Sequence, residues 1–294
     1  MTNPPDPTWL DAQYNNRARV HDAARILERW ANASALARAQ ADCTLDLSYG
    51  EGEGETLDVF RTERRDAPVF VFIHGGYWRA LDKRDHSFVA PALVDAGALV
   101  VVPNYALCPA VTIEQITLQV VKAIAWVHRH ARAHGGDPGR IVVGGHSAGG
   151  HLAAMMACCE WPRVGEDLPA TVLHGALSIS GLFDMEPLRR TPFLAPDLRL
   201  TEASARRLSP ALMPAPKGPL AAVVGGDESE EFLRQNRLIR QVWGERSVPV
   251  CETIAGANHF TVLHDLADAS TRLHRLALGL LGLPGGDVVT NASH

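Results

Sequence analysis

The stretch Ile141-Val142-Val143-Gly144-Gly145-His146-Ser147-Ala148-Gly149-Gly150 decides how the rest of this 294-residue chain is read. Three β-branched apolar residues in a row suit a strand covered on both faces. A helix rich in small residues is expected directly after it, over 148–160. Between the two, Gly145-His146-Ser147-Ala148-Gly149 fits G-x-S-x-G, a sharp turn that leaves its serine exposed at a helix N-terminus, where the dipole favours negative charge. Ser147 is the candidate nucleophile; the plainer alternative is a glycine turn whose serine only caps the helix.

Working outward, apolar runs at 69–73, 98–102, 176–179, 220–224 and 250–254 read as further buried strands. Helical spacing separates them at 87–95, 113–134, 230–243 and 260–281, with Gly135-Gly136-Asp137-Pro138 as a stop. Alternation over 44–49 and 56–60 around a glycine and glutamate turn reads as an antiparallel hairpin opening the sheet. About eight strands alternating with helices predict a three-layer α/β architecture with a mostly parallel sheet. Residues 1–42 read as an N-terminal helical extension, with Tyr14, Val20, Leu27 and Trp30 on a buried face. Proline-rich 183–219 breaks the rhythm and reads as a lid insertion, and 284–294 as a flexible tail.

Composition narrows the partners. With 46% hydrophobic and 21% charged residues, the chain can bury a full-sized core. Its net charge of −5, with basic residues scattered, gives no stripe for nucleic acid. No signal peptide or membrane-length apolar run is seen, so a cytoplasmic protein without membrane attachment is expected. The five cysteines include no C-x-x-C pair and read as reduced, mostly buried small hydrophobes; neither metal nor cofactor is implied. A homodimer is allowed by the sequence and not required by it.

A serine hydroxyl needs a base, and in folds built on this turn the partners follow in the order serine, acid, histidine. Asp227, in Gly225-Gly226-Asp227-Glu228-Ser229 at the C-terminal end of strand 220–224, is the expected acid, with Asp184 and the adjacent Glu228 as alternatives. His259, after the last strand, is the expected base; His151, His264 and His274 fall inside helices, and His174 is the remaining candidate. His74-Gly75-Gly76-Tyr77-Trp78 follows strand 69–73 and is related to the H-G-G-G loops whose amides stabilise an oxyanion. Gly75, Gly76 and Ala148 are the expected donors.

The combination of His74-Gly75-Gly76-Tyr77-Trp78, Asp82-Lys83 and Gly145-His146-Ser147-Ala148-Gly149-Gly150 resembles the arylformamidases (kynurenine formamidases) of the α/β-hydrolase fold, a branch near the hormone-sensitive-lipase esterases. Tyr14-Asn15-Asn16-Arg17 and Ser180-Gly181-Leu182-Phe183-Asp184 are also similar, so the likeness spans about 12–283. The resemblance implies the α/β-hydrolase fold and metal-free hydrolysis of N-formyl-L-kynurenine to formate and kynurenine through a serine-bound formyl intermediate. Carried over by motif, nucleophile, acid and base fall on Ser147, Asp227 and His259. Tyr77 and Trp78 are candidate flat surfaces for an aryl leaving group, and Arg189 and Arg190 for its amino-acid end. Two other readings remain: a carboxylesterase of small aryl or alkyl esters, with the same catalytic residues, and a non-catalytic hydrolase fold. The motif positions, from 74 to 259, spread one site over most of the chain, as expected of one domain.

Overall fold

A computed structural model describes residues 6–52 and 54–289. Its eight strands are β1 (Cys43–Ser48), β2 (Thr56–Phe60), β3 (Ala67–Ile73), β4 (Leu99–Pro103), β5 (Gly136–His146), β6 (Leu173–Ile179), β7 (Leu220–Gly225) and β8 (Val250–Ile254), in one sheet ordered β1-β2-β4-β3-β5-β6-β7-β8. The hairpin β1–β2 is antiparallel, as is β2 with β4; every later pair is parallel. The expected mostly parallel eight-stranded sheet with an antiparallel hairpin at one edge is therefore present.

Strand β3 shows why the apolar runs are continuous. Val69, Val71 and Ile73 join a core with α5 (Ile113–His130), α6 (Ala148–Ala157) and α10 (Glu230–Ser247) on one face. Phe70 and Phe72 join a second core on the other, against α3 (Ala23–Gln40), α4 (Ala90–Asp95) and α12 (Arg272–Leu281). With helices on both faces, no position of the strand is left for polar residues. Residue alternation along β3 therefore sorts residues between two cores rather than between core and solvent.

The expected helix over 260–281 is broken. A turn of 3-10 helix at Thr261–Leu263 and a short α11 (His264–Ala267) precede α12. The interruption is local polar competition: Asp268 Oδ1 accepts from the Ser270 amide at 2.9 Å, and Thr271 Oγ1 accepts from the His274 amide at 3.3 Å, restarting the helix. Gly135 adopts φ 88°, and β5 begins one residue later, so the glycine pair both ends one element and opens the next.

The N-terminal region forms α1 (Pro7–Tyr14), α2 (Asn16–Arg19) and α3, and 183–219 forms α7 (Glu186–Arg189), α8 (Ala195–Leu198) and α9 (Glu202–Arg207). Leu188, Leu194 and Leu198 are buried, so this stretch is packed onto the body of the molecule. Within the expected tail, residues 284–289 also pack down: Asp287 pairs with Arg272 and Arg275 of α12. Residues 290–294 and 1–5 lie outside the described residues. All five cysteines are free, but only Cys108 is buried; the other four are half-buried. Among the described residues, no helix is long and apolar enough to cross a membrane.

Two fully buried imidazoles set an acid limit. Burial holds His151, in α6, down at about 4, and His86 down at about 3, both below the ordinary 6.5. From pH 6.5 downward the unfolded chain takes up protons that the folded chain refuses, so stability falls as pH falls through that window. His151 alone should account for about 3 kcal/mol between pH 6.5 and 4. In His151→Gln, which can keep the bond to the Leu208 carbonyl, the urea midpoint should vary less between pH 7 and 4.5 than in the parent. An identical acid slope would remove His151 from the account.

Candidate active site

Ser147 sits at φ 57°, ψ −116°, between the end of β5 and the start of α6. Such a conformation costs a non-glycine residue about 1–3 kcal/mol, and the surroundings must hold it. Two glycines let them do so. A Cβ on Gly145 would lie 2.2 Å from the Gly149 carbonyl oxygen, and one on Gly149 would lie 2.0 Å from the Ile73 carbonyl oxygen. Any side chain at either position would force the turn open. The Ser147 amide donates to the Ile179 carbonyl at 2.8 Å, tying the turn to β6.

The Ser147 hydroxyl lies 3.1 Å from His259 Nε2 and donates to it. His259 Nδ1 donates to Glu228 Oε2 at 2.6 Å. The expected pairing of serine and histidine is therefore present, but the carboxylate on the imidazole is Glu228 and not Asp227. The turn after β7 explains the difference. The Asp227 amide bonds to the Ala257 carbonyl at 3.0 Å and its side chain is exposed, whereas Glu228 is buried and folds back under the sheet end. There Glu228 Oε1 accepts from Ser180 Oγ at 2.5 Å and from the Gly225 amide at 2.8 Å. Asp184, the other alternative, pairs with Arg234 at 3.2 Å. The remaining histidines lie elsewhere: His151 bonds to Leu208, His274 to Leu266, and His264 accepts from the Trp30 indole, while His174 is exposed.

His259 rests on a second imidazole. His146 Nε2 donates to the His259 carbonyl at 2.7 Å, and the two ring centres are 4.8 Å apart. Burial, then the neighbouring His259, hold His146 well below the usual imidazole range. It therefore stays neutral and acts as a strut, fixing the histidine loop to the residue before Ser147.

The Gly75-Gly76 loop lies on the other side of the serine: a Cβ on Gly75 would be 3.2 Å from Ser147 Cβ. Among the described residues, the amides of Gly75, Gly76 and Ala148 have no acceptor. Behind the loop, the His74 ring stacks on Tyr105 with centroids 4.1 Å apart and bonds to the Gly75 carbonyl and to Asn104 Oδ1. Asn104 Nδ2 donates to Asp82 at 2.8 Å, and the buried Lys83 pairs with Asp58 and Asp46. The Asp82-Lys83 pair is thus the brace of the loop rather than part of the cavity.

A cavity of about 420 Å³ opens over Ser147 and His259. Tyr77 lines it, as expected, but Trp78 does not: its ring is fully buried, edge-on to His151 at 5.0 Å. Tyr77 and Trp78 both have positive φ (52° and 55°), and successive side chains in this turn point to opposite sides, one into the cavity and one into the core. Arg189 and Arg190 are paired with Glu186 and do not line the cavity. Further walls come from the N-terminal segment, through Asn15, Asn16, Arg17, Leu27 and Trp30, which the sequence reading did not place at the site, and from Phe193 and Asp197 in the 183–219 stretch expected as a lid. For the N-terminal walls, Tyr14-Asn15-Asn16-Arg17 is the sequence feature that points there.

Tyr77 ties these parts together. Its hydroxyl donates to the Tyr14 carbonyl at 2.6 Å, while the Tyr14 hydroxyl donates to Glu231 of α10 at 2.6 Å.

A serine, histidine and carboxylate in hydrogen-bond sequence at the C-terminal edge of this sheet define a hydrolase of the α/β-hydrolase fold. The BD-FAE family model matches residues 57–172. A solved structure of a candidate thioesterase from Silicibacter sp. TM1040 is similar at a TM-score of 0.79 and 33% identity, covering 89% of this chain and 96% of that one. Esterase LipQ of Mycobacterium tuberculosis is 37% identical over 50% of this chain and 37% of that protein. A kynurenine formamidase of Danio rerio is 30% identical over 84% of each chain. The chain belongs to the kynurenine formamidase family.

Removing the Tyr77 hydroxyl leaves the Tyr14 carbonyl without its partner in a buried setting, so Tyr77→Phe should lower unfolding free energy by about 1–3 kcal/mol. A denaturant titration at pH 7 measures it; a change within error would mean that the tie contributes nothing net.

Proposed function

We propose that the chain hydrolyses an aryl formamide, N-formyl-L-kynurenine in the first instance, to formate and the free aryl amine. The observation that carries this reading is the cavity itself: Ser147 and His259 open onto it, and Leu27, Trp30, Tyr77, Phe193 and Phe260 give it flat apolar walls for an aryl leaving group. The formyl side needs no acyl pocket, because formyl is the smallest acyl group. Similarity to a kynurenine formamidase over 84% of both chains supports the substrate class.

The chemistry follows from the distances. Ser147 Oγ attacks the formyl carbon as His259 Nε2, 3.1 Å away, takes the hydroxyl proton. The carbonyl oxygen becomes an oxyanion facing the amides of Gly75, Gly76 and Ala148, each such donor contributing about 3 kcal/mol to the transition state. His259 then gives its proton to the anilide nitrogen, the C–N bond breaks, and the amine leaves formyl-Ser147 behind. Water attacks the ester with His259 again as base, the Ser147–carbon bond breaks with the proton returned to Ser147, and formate departs. Throughout, Glu228 holds Nδ1–H and stabilises the imidazolium at 2.6 Å.

The same residues would cleave a small aryl or alkyl ester, and the similarity to LipQ favours that second reading over half of the chain. Kinetics separate the two. The kcat/KM for N-formyl-L-kynurenine should exceed that for p-nitrophenyl acetate and butyrate; a formamide value well below the ester values would replace the first reading with the second. Ser147→Ala should abolish both activities while leaving the folded circular dichroism spectrum intact.

The two neighbouring carboxylates make a sharp pair. Glu228→Gln should lower kcat by about 10³-fold or more, because the amide can no longer hold the same imidazole tautomer or balance its charge. Asp227→Asn should leave kcat within about twofold, as expected for an exposed side chain. The reverse order would restore Asp227 as the acid.

A further inference from the structure

The cavity walls include three charged side chains, Arg17, Arg79 and Asp197. Two of them are spent on each other. Arg79 pairs with Asp197, donates to the Phe193 carbonyl at 3.0 Å and lies over the Phe193 ring at 5.3 Å. Arg17 is different. It stands in α2 at the exposed side of the cavity, and among the described residues it has no ion-pair or hydrogen-bond partner. Its neighbours are accounted for: Arg19 donates to the Ala12 carbonyl, Asn15 caps α2 through the Ala18 amide, and Asn16 reaches the Tyr77 hydroxyl. The segment that holds Arg17 is fixed from below, since Tyr14 is anchored on Glu231 and Tyr77.

We infer that Arg17 is the specificity residue of this site, a guanidinium that takes the carboxylate of a leaving group with an amino-acid end while the aryl ring lies between the apolar walls and the formyl carbon meets Ser147. This rests on the aryl formamide reading and deepens it: the preferred substrate is an aryl formamide bearing an amino-acid-type carboxylate rather than one without it. A guanidinium whose donors are not already committed suits such a carboxylate, because its fork can donate to both oxygens without first breaking a protein ion pair. Arg79 would have to give up Asp197 to do the same.

The test compares N-formyl-L-kynurenine with 2-acetylformanilide, the same aryl formamide without the amino-acid end, in the full-length parent, Arg17→Ala and Arg17→Lys. In Arg17→Ala the ratio of kcat/KM for the carboxylate-bearing over the carboxylate-free substrate should fall roughly tenfold or more, chiefly through KM, as expected for losing a charge-assisted hydrogen bond. Arg17→Lys should recover part of that ratio, and raised salt should shrink it in the parent more than in Arg17→Ala. An equal loss on both substrates, or an unchanged ratio, overturns the assignment. If the parent prefers esters to both formamides, the reaction reading fails on its own. Phenyl acetate and 3-(2-acetoxyphenyl)propionate then carry the same comparison, and an Arg17→Ala variant that keeps the parent's preference between them overturns the anchor independently.

Discussion

The structure depends on one backbone conformation, Ser147 at φ 57° and ψ −116°. An L-residue stays there only where neighbours leave it no cheaper alternative. Gly149 lies so close to the Ile73 carbonyl that the start of α6 is pressed against the end of β3. That contact requires β3 and β5 to be adjacent and in register, and the pairing of Ile73 with Gly145 supplies it. The same register brings the Gly75-Gly76 loop, the next residues of β3's chain, alongside the serine. Two halves of one site, far apart in sequence, are thus joined by sheet geometry before any side chain is considered.

Around this common core, the N-terminal helices do work that the word extension understates. They roof the cavity and are bound into the interior by polar contacts: Tyr14 to Glu231 and Gln235, Gln13 to the Glu231 amide, and Asp11 to the Phe193 amide. Burial, and then the facing Glu231 carboxylate, push the Tyr14 phenol well above its ordinary range, so it remains a donor at any physiological pH. A roof fastened by buried hydrogen bonds costs more to open than one resting on apolar contact, because each separated group would need water in a place closed to it. That side of the cavity is accordingly walled by α2, α3 and α8, with α1 anchoring them.

Much of the fold was legible because its physical causes are local. Continuous apolar runs marked β3 to β8, and the hairpin of β1 and β2 was visible as alternation around a turn. The break at Asp268 to Thr271 was not, since apolar spacing continues through it and only the side-chain bonds interrupt the helix. In the candidate site, the pairing of Ser147 with His259 was legible from motif and chain order. Trp78 was misplaced because sequence cannot say which of two adjacent rings a positive-φ turn sends inward. The cavity's N-terminal walls were hidden for another reason: a helix with one apolar stripe shows that it packs, not on what.

Asp227 and Glu228 show where a neighbouring-residue choice becomes decidable. Both follow a strand end, both are carboxylates, and by chain order either could serve His259. The distinction lies in what the other oxygen does. At position 228 the longer side chain returns to the Gly225 amide and Ser180 Oγ, so Oε1 is saturated by two donors and Oε2 is left aimed at the imidazole. A buried carboxylate is tolerable only when its lone pairs are met in this way. Asp227, whose amide is drawn toward Ala257, lies on the solvent side of the same turn and has no such set of donors among the described residues. Under the proposed mechanism, the acid is therefore selected by the two groups that hold its spare oxygen, and Ser180 and Gly225 belong to the site as much as the carboxylate they position.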